Sequence, residues 1–217
     1  MAEPAPLDRR HRRRQETIEQ VLDVAADVMT EDGVAGLSLG EVARRMGIRP
    51  PSLYVYFDGK HALYDSLFER GWRQLLDAMQ AAEDEHPPGE PAKDLQLFGA
   101  AFVRWAVEHP AYAPLMFWRP VPGFAPTPAA YAPAVALSGL GRGFLGRLQA
   151  RGGLRADVDL GLAFSTWTTV LGGVISQQLS NAPGQPYETG DFTATVPELI
   201  AMWHAHFAPP SAVAPAS

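Results

Sequence analysis

The stretch LSLGEVARRMGIRPPSLYVYFDGKHAL, residues 37–63, sets two helix starts and a turn so close together that few backbone paths satisfy it. Ser38 and Glu41 stand three apart ahead of Val42, Ala43 and Met46. That is the spacing of a capping box, in which the serine oxygen accepts from an unpaired backbone N–H and the glutamate reaches back. A short helix therefore starts at Ser38 and ends by Gly47. Pro50 and Pro51 forbid its continuation but suit the first turn of a new helix, where the missing N–H groups would be unbonded anyway. That next helix is expected from Pro50 to about Phe57. Two such helices, joined through Gly47 by about three or four residues, form a helix-turn-helix whose second member fits a major groove about 12 Å wide.

Helical spacing continues on both sides. Upstream, Ile18, Val21, Leu22, Ala25, Val28 and Met29 recur at three- and four-residue steps, and Gly33 supplies a left-handed stop. Downstream, Leu63, Tyr64, Leu67, Phe68, Gly71, Trp72, Leu75 and Met79 mark a long helix with Lys60 at its head. Residues 83–91, EDEHPPGEP, read as a linker. Leu95, Phe98, Phe102 and Trp105 share another helix, broken at His109-Pro110 and followed by the short apolar piece PAYAPLMFW. The proline-rich segment 119–128 is a loop, and helices follow at about 129–151, 158–180 and 196–207. No alternation of strand and helix appears, so the expected class is all-α. The expected organisation is a flexible basic arm at 1–14, a helix-turn-helix domain at 15–62, a second helical domain at 63–208 and a disordered tail at 209–217.

Charge sharpens this division. The 217 residues are 47% hydrophobic, enough to bury a core, and carry a net charge of −6, unfavourable for nucleic acid when taken as a bulk figure. Yet nine of the 18 basic residues lie between Arg9 and Lys60. The acids Glu16, Glu19, Asp23, Asp27, Glu31 and Asp32 recur at helical steps and can occupy the outer side of the first helix. The run RRHRRR is then either a phosphate-binding arm with strongly salt-dependent affinity or a solubilising tail. With no cysteine, disulfides, thiolate metal sites and cysteine nucleophiles are excluded. Neither a secretory leader nor an apolar run of about 18 residues is present, and a cytoplasmic protein is expected.

The residue order carries a further signal. From Ser38 to Leu63, S-L-x-E-V-A-R-R-M-G-I-x-x-x-S-L-Y-x-Y-F-x-x-K-x-A-L resembles the DNA-binding signature of TetR-type transcriptional repressors. The resemblance extends over Gln15 to about Leu67, and RWAVEHPAYAPLMF, residues 104–117, is more weakly similar to a helix-break-helix in one branch of that family. It implies a homodimer of helical subunits. Each would have an N-terminal three-helix helix-turn-helix domain and a C-terminal helical bundle for ligand binding and dimerisation. A double-stranded palindromic operator and a small-molecule effector are the implied partners, with no membrane and no cofactor.

Ile48, Leu53 and Phe57 are spaced to face the helix-turn-helix core. Tyr54 and Tyr56 can be core residues with satisfied hydroxyls or can bond phosphate; the resemblance implies that both approach DNA. Ser38 and Ser52 can hold phosphate oxygens, although Ser38 is equally a helix cap, and Lys60 adds charge at a helix head. Arg49 can bond guanine O6 and N7 together or hold a phosphate, and its position is often a small hydroxyl residue in the family. Pro50, Pro51 and Val55 offer apolar contact to a thymine methyl. Arg44 and Arg45 read as phosphate contacts or solvated charges.

In the second domain Trp105, Tyr112, Met116, Phe117, Trp118, Phe144, Phe164 and Trp167 can line an apolar pocket or simply pack a core, with Arg104, Thr168 and Gln177 as polar groups able to orient a ligand. An apolar or aromatic effector is the corresponding expectation. By the resemblance, helices 158–180 and 196–207 correspond to the family's dimerising pair, and their apolar face can meet either a partner subunit or the chain's own core. GLGRGF, residues 139–144, lacks the preceding strand of a nucleotide loop, and His204 and His206 point to different sides of a helix with no third metal ligand nearby. No nucleophile motif frames a serine, so no catalytic residue and no metal site are expected. Two rivals remain: a helical enzyme, and a small-molecule binding protein without DNA function.

Overall fold

The computed structural model describes residues 6–210, with side chains from Arg9 onward; the rest of the expected arm and positions 211–217 of the expected tail lie outside the described residues. Among these residues the chain is helical, with no strand: α1 (Pro6–Gly36), α2 (Leu39–Arg45), α3 (Gly59–Glu85), α4 (Pro91–Glu108), α5 (Ala113–Phe117), α6 (Pro128–Ala150), α7 (Leu160–Asn181) and α8 (Val196–Phe207). Turns of 3-10 helix occupy Pro50–Val55 and Thr193–Thr195. The chain divides into two compact units. One holds the described residues up to Gly71 with Pro110–Ala132, and the other holds Trp72–His109 with the described residues from Pro133 on.

In the first unit the stripe of α1 packs as its spacing predicts, with Val21, Leu22, Ala25, Val28 and Met29 buried. Gly33, at φ 73°, interrupts the helical path where a left-handed stop was expected. Residues 9–14 of the expected flexible arm are turns of α1. Arginine is a good helix former, Pro6 suits a first helical position, and Arg12 pairs with Glu16 one turn on at 3.7 Å. Once residues 18–29 are docked, these turns propagate without an apolar face of their own.

Ser38 caps α2, its hydroxyl accepting from the Glu41 N–H at 3.1 Å. The other half of the capping box does not form, because Arg44 and Arg45 engage the Glu41 carboxylate. The expected helix from Pro50 to Phe57 is a 3-10 turn ending at Val55. Two adjacent prolines remove two backbone donors, and the tighter ladder is closed by Ser52 N–H to Arg49 C=O and Tyr56 N–H to Leu53 C=O, both 2.9 Å. Leu53 and Phe57 are buried and anchor the turn, while Ile48 is only half-buried.

The head of α3 is tied to the end of α1 by the buried Tyr64 hydroxyl, which donates to the Val34 carbonyl at 2.6 Å. The proline-rich loop grips the same helix head. Asp65 accepts from the Thr127 N–H at 2.7 Å and hydroxyl at 2.8 Å, and Phe124 lies among the rings of His61, Tyr64 and Phe68.

The second unit is built around α4, which packs on α7 and α8. Gly99 makes this approach possible: a Cβ there would stand 2.5 Å from Ile200 and 3.1 Å from Trp167. Trp167 meets Trp203 edge-on at 5.1 Å, and both are buried with Ile200 and Phe207. Each large apolar side chain withdrawn from water in this way contributes about 1.5–3 kcal/mol. Asp159 caps α7 by accepting from the N–H groups of Gly161 and Leu162. The buried Gln178 holds the α7–α8 connection, accepting from the N–H groups of Phe192 and Thr193 and donating to the Ala182 carbonyl.

Candidate nucleic-acid interface

The capped α2, the Gly47 turn and the rigid Pro50–Val55 segment present one set of side chains outward. Gly47 has φ 67°, the left-handed conformation that a chain reversal between α2 and the turn needs and that glycine adopts without steric cost. Arg49 follows with extended backbone, exposed, and its guanidinium has no hydrogen bond or ion pair among the described residues. Pro50, Pro51 and Ser52 are exposed beside it. Tyr54 and Val55 are 59% and 69% exposed, unusual for large apolar side chains on a well-anchored turn. Tyr54 is therefore an outward group, whereas Tyr56 is half-buried and lies under the Arg14 guanidinium, 5.6 Å from its ring centre.

Arg14 was expected only as one charge in an arm. The structure places it against the turn, donating to the Val55 carbonyl at 3.4 Å. Nothing in an arginine run distinguishes this member, since the contact depends on α1 staying helical through residue 14.

Other expected DNA-binding residues are engaged internally. Lys60 donates to the Ala35 carbonyl at 3.3 Å and lies 5.3 Å from the Tyr64 ring centre, so it ties α3 to the end of α1. Ser38 is exposed but already accepts from Glu41. Arg44 forms a two-pronged pair with Glu41, at 2.8 Å and 2.7 Å. Arg45 meets the same carboxylate at 2.7 Å and holds Glu31 of α1 at 2.9 Å and 2.8 Å. Hydrogen bonds from Arg44 and then Arg45 pull the Glu41 carboxyl from its ordinary 4.5 down to about 2. Arg45 likewise holds Glu31 below the usual carboxylate range.

The expected ligand set divides between the units. Tyr112, Met116 and Phe117 belong to the first, where Tyr112 and Met116 press on Gly71 so closely that a Cβ there would meet Met116 Sδ at 2.6 Å. Arg104, Trp105, Phe144, Phe164, Trp167 and Thr168 belong to the second. Arg104 is taken by Glu188 and the Tyr187 ring, and Trp105 stacks on His109 at 4.3 Å. Phe144 stacks on Phe98 at 4.2 Å, and the Arg142 guanidinium lies 5.2 Å from the Phe164 ring. The Thr168 hydroxyl returns to the carbonyls of Phe164 and Ser165. An open cleft of about 50 Å³ in this unit is lined by Leu97, Phe98, Phe144, Arg147 and Arg151 among others, and includes only Phe144 of the expected set. Among the described residues no three His, Asp or Glu side chains form a metal-binding group, and no helix is long and apolar enough to cross a membrane.

Comparison with known proteins agrees with this geometry. Residues 21–67 match the family described as "Bacterial regulatory proteins, tetR family", and residues 95–200 match "Tetracyclin repressor-like, C-terminal domain". The chain is 34% identical over 96 residues to the HTH-type transcriptional regulator YobS of Bacillus subtilis, a match covering 44% of this chain and 49% of that one. It spans about half the length of the curated relatives it matches. Among solved structures, the fatty acid degradation regulator FadR of Bacillus halodurans superposes with TM-score 0.71 at 16% identity, covering 93% of this chain and 96% of that one. FadR of Bacillus subtilis, solved in complex with stearoyl-CoA, gives TM-score 0.66 at 16% identity, covering 86% and 97%. These structural likenesses carry the fold, and the named relatives are transcriptional regulators rather than enzymes. With the helix-turn-helix match at one end and the C-terminal match over most of the remainder, the chain belongs to the TetR family of helix-turn-helix, DNA-binding transcriptional regulators.

Proposed function

We propose that this regulator is a repressor that binds a palindromic operator as a homodimer and is released by a small apolar or aromatic molecule. The observation that carries the DNA half is the rigid Pro50–Val55 turn with an unpaired Arg49 at its start and exposed Tyr54 and Val55 along it. A guanidinium without an internal partner loses no ion pair on meeting a guanine edge, and Val55 and the prolines supply apolar surface for a thymine methyl. Ser52 and the Tyr54 and Tyr56 hydroxyls hold phosphates, fixing the register in which Arg49 reads. Arg14 and its neighbours on α1 add sequence-independent attraction. Lys60 and Ser38 act at one remove, by fixing the ends of α3 and α2.

For the effector half, the support is the family's C-terminal domain and a protein of the same fold solved with stearoyl-CoA. Release requires that the effector bind more tightly to a dimer state that cannot span the operator.

The test is fluorescence anisotropy of the purified protein with the duplex upstream of its own gene and with a scrambled duplex, over a salt series. Binding should prefer the upstream duplex and weaken with salt. Arg49→Ala should lower that preference by about 1–3 kcal/mol while the protein stays folded. Equal affinity of wild type and Arg49→Ala for both duplexes would remove Arg49 as a reader.

A further inference from the structure

The pairing of α2 bears on selectivity for DNA, a question that rests on the DNA-binding reading above. Arg44 is the most exposed member of the network, its side chain 72% accessible, whereas Arg45 and Glu41 are at 22% and 25%. Both Glu41 oxygens face Arg44 in the two-pronged geometry by which a guanidinium also grips a phosphate. Arg45 has a second carboxylate, Glu31, and stays saturated. The two acids and two arginines cancel, so the network, with Glu31 of α1 included, carries no net charge. With seven residues, α2 is about 10 Å long, and it packs directly on the Pro50–Val55 turn. Arg44 therefore stands on the element that adjoins the turn, where the field of a bound duplex is only partly screened at ordinary salt.

We propose that Glu41 is a specificity-determining positioning residue: it occupies Arg44 as an internal stand-in for phosphate and so holds down sequence-independent affinity for DNA. A cation paired in this way displaces no counterions from DNA, leaving the salt dependence of non-specific binding to the unpaired Arg49 and the α1 arginines. Base readout through Arg49 does not use the pair. In the operator complex base contacts fix the register and so which phosphates Arg44 can meet. On other duplexes the protein is free to seat a released Arg44 on a phosphate, so loss of the Glu41 charge should raise binding to those duplexes more than binding to the operator. The depressed carboxyl of Glu41 keeps it charged throughout the physiological range.

Glu41→Gln tests this and leaves the Ser38 cap in place, because the cap uses the backbone N–H of residue 41. Anisotropy against a scrambled duplex should show about three- to tenfold tighter binding at low salt and a salt slope steeper by about 0.9, the value for one added phosphate contact. The ratio of upstream to scrambled affinity should fall. Arg44→Ala added to Glu41→Gln should restore the wild-type slope. Glu31→Gln, which leaves Arg45 on Glu41, should not change it. A Glu41→Gln slope equal to wild type, or weaker binding to both duplexes, overturns the proposal and leaves Glu41 a purely structural residue. Wild-type protein that binds neither duplex at low salt overturns the DNA reading beneath it, a failure seen before any variant is compared.

Discussion

Glu41 shows how one side chain can serve the fold and govern its neighbours. Its carboxyl titrates at about 2 in the folded chain against an ordinary 4.5, because Arg44 and Arg45 donate to the charged form. A depressed carboxyl stabilises the fold fully above the unfolded value, and the contribution is lost as pH falls from about 4.5 toward 2. Wild-type protein should therefore lose stability over that window with a slope that Glu41→Gln lacks, readable as the urea midpoint at successive pH values. Parallel curves for the two proteins between pH 4.5 and 2 would show that the network adds nothing to folding. Ser38 and Glu41 were legible as a capping pair from spacing alone, yet the reciprocal bond failed. Two arginines three and four residues on offered the carboxylate charged donors, which outcompete a backbone N–H. Tyr54 and Tyr56 could not be separated by sequence for a related reason: alternate positions on a tight turn differ in exposure only once the anchors Leu53 and Phe57 are buried.

At the scale of elements, strong apolar periods survived into the structure. The stripes of α1, α3 and α4 and the stop at Gly33 stand close to where spacing put them. What spacing missed came from the backbone and from charge. The Pro50-Pro51 pair gave a 3-10 turn because two absent donors favour the tighter ladder, and the Arg9–Arg14 turns joined α1 because a docked helix extends through good helix formers. The aromatic residues of the ligand set carried no period that could show which were packed against one another. The Trp105–His109 stack is local, but other partners are distant in sequence, as with Phe98 on Phe144 and Trp167 on Trp203. Gly99 is one position on which the second unit's packing depends, since a methyl group there would collide with Ile200 at 2.5 Å and crowd Trp167. Gly99→Ala gains helix propensity of about 1 kcal/mol but should still destabilise by about 1–3 kcal/mol net, because the clash lies in a buried three-helix contact. A raised or unchanged thermal midpoint would show that α8 can shift at no cost.

For the whole molecule the question is how a chain of net charge −6 holds DNA tightly enough to regulate it. Nine of its 18 basic residues lie in residues 9–60, and several of those are spent on internal carboxylates, so one subunit offers few phosphate contacts. In the homodimer proposed above, two subunits would double that number. They would also make the second half-site contact intramolecular, provided the reading turns can meet major grooves about 34–36 Å apart. The helices that correspond to the family's dimerising pair carry Leu162 on α7 and Met202 on α8, 58% and 60% exposed in the single chain, while their inner faces bury Trp167, Ile200 and Trp203. Replacing Leu162 and Met202 together by Glu should thus leave the core of the subunit intact and place four repelling charges across a two-fold contact. Sedimentation should show a folded monomer, operator affinity should fall by about a hundredfold or more, and the salt slope should drop to about half because half the phosphates are engaged. A variant that stays dimeric would move the interface off this face, and a monomer that binds the operator as wild type does would show that one reading head suffices.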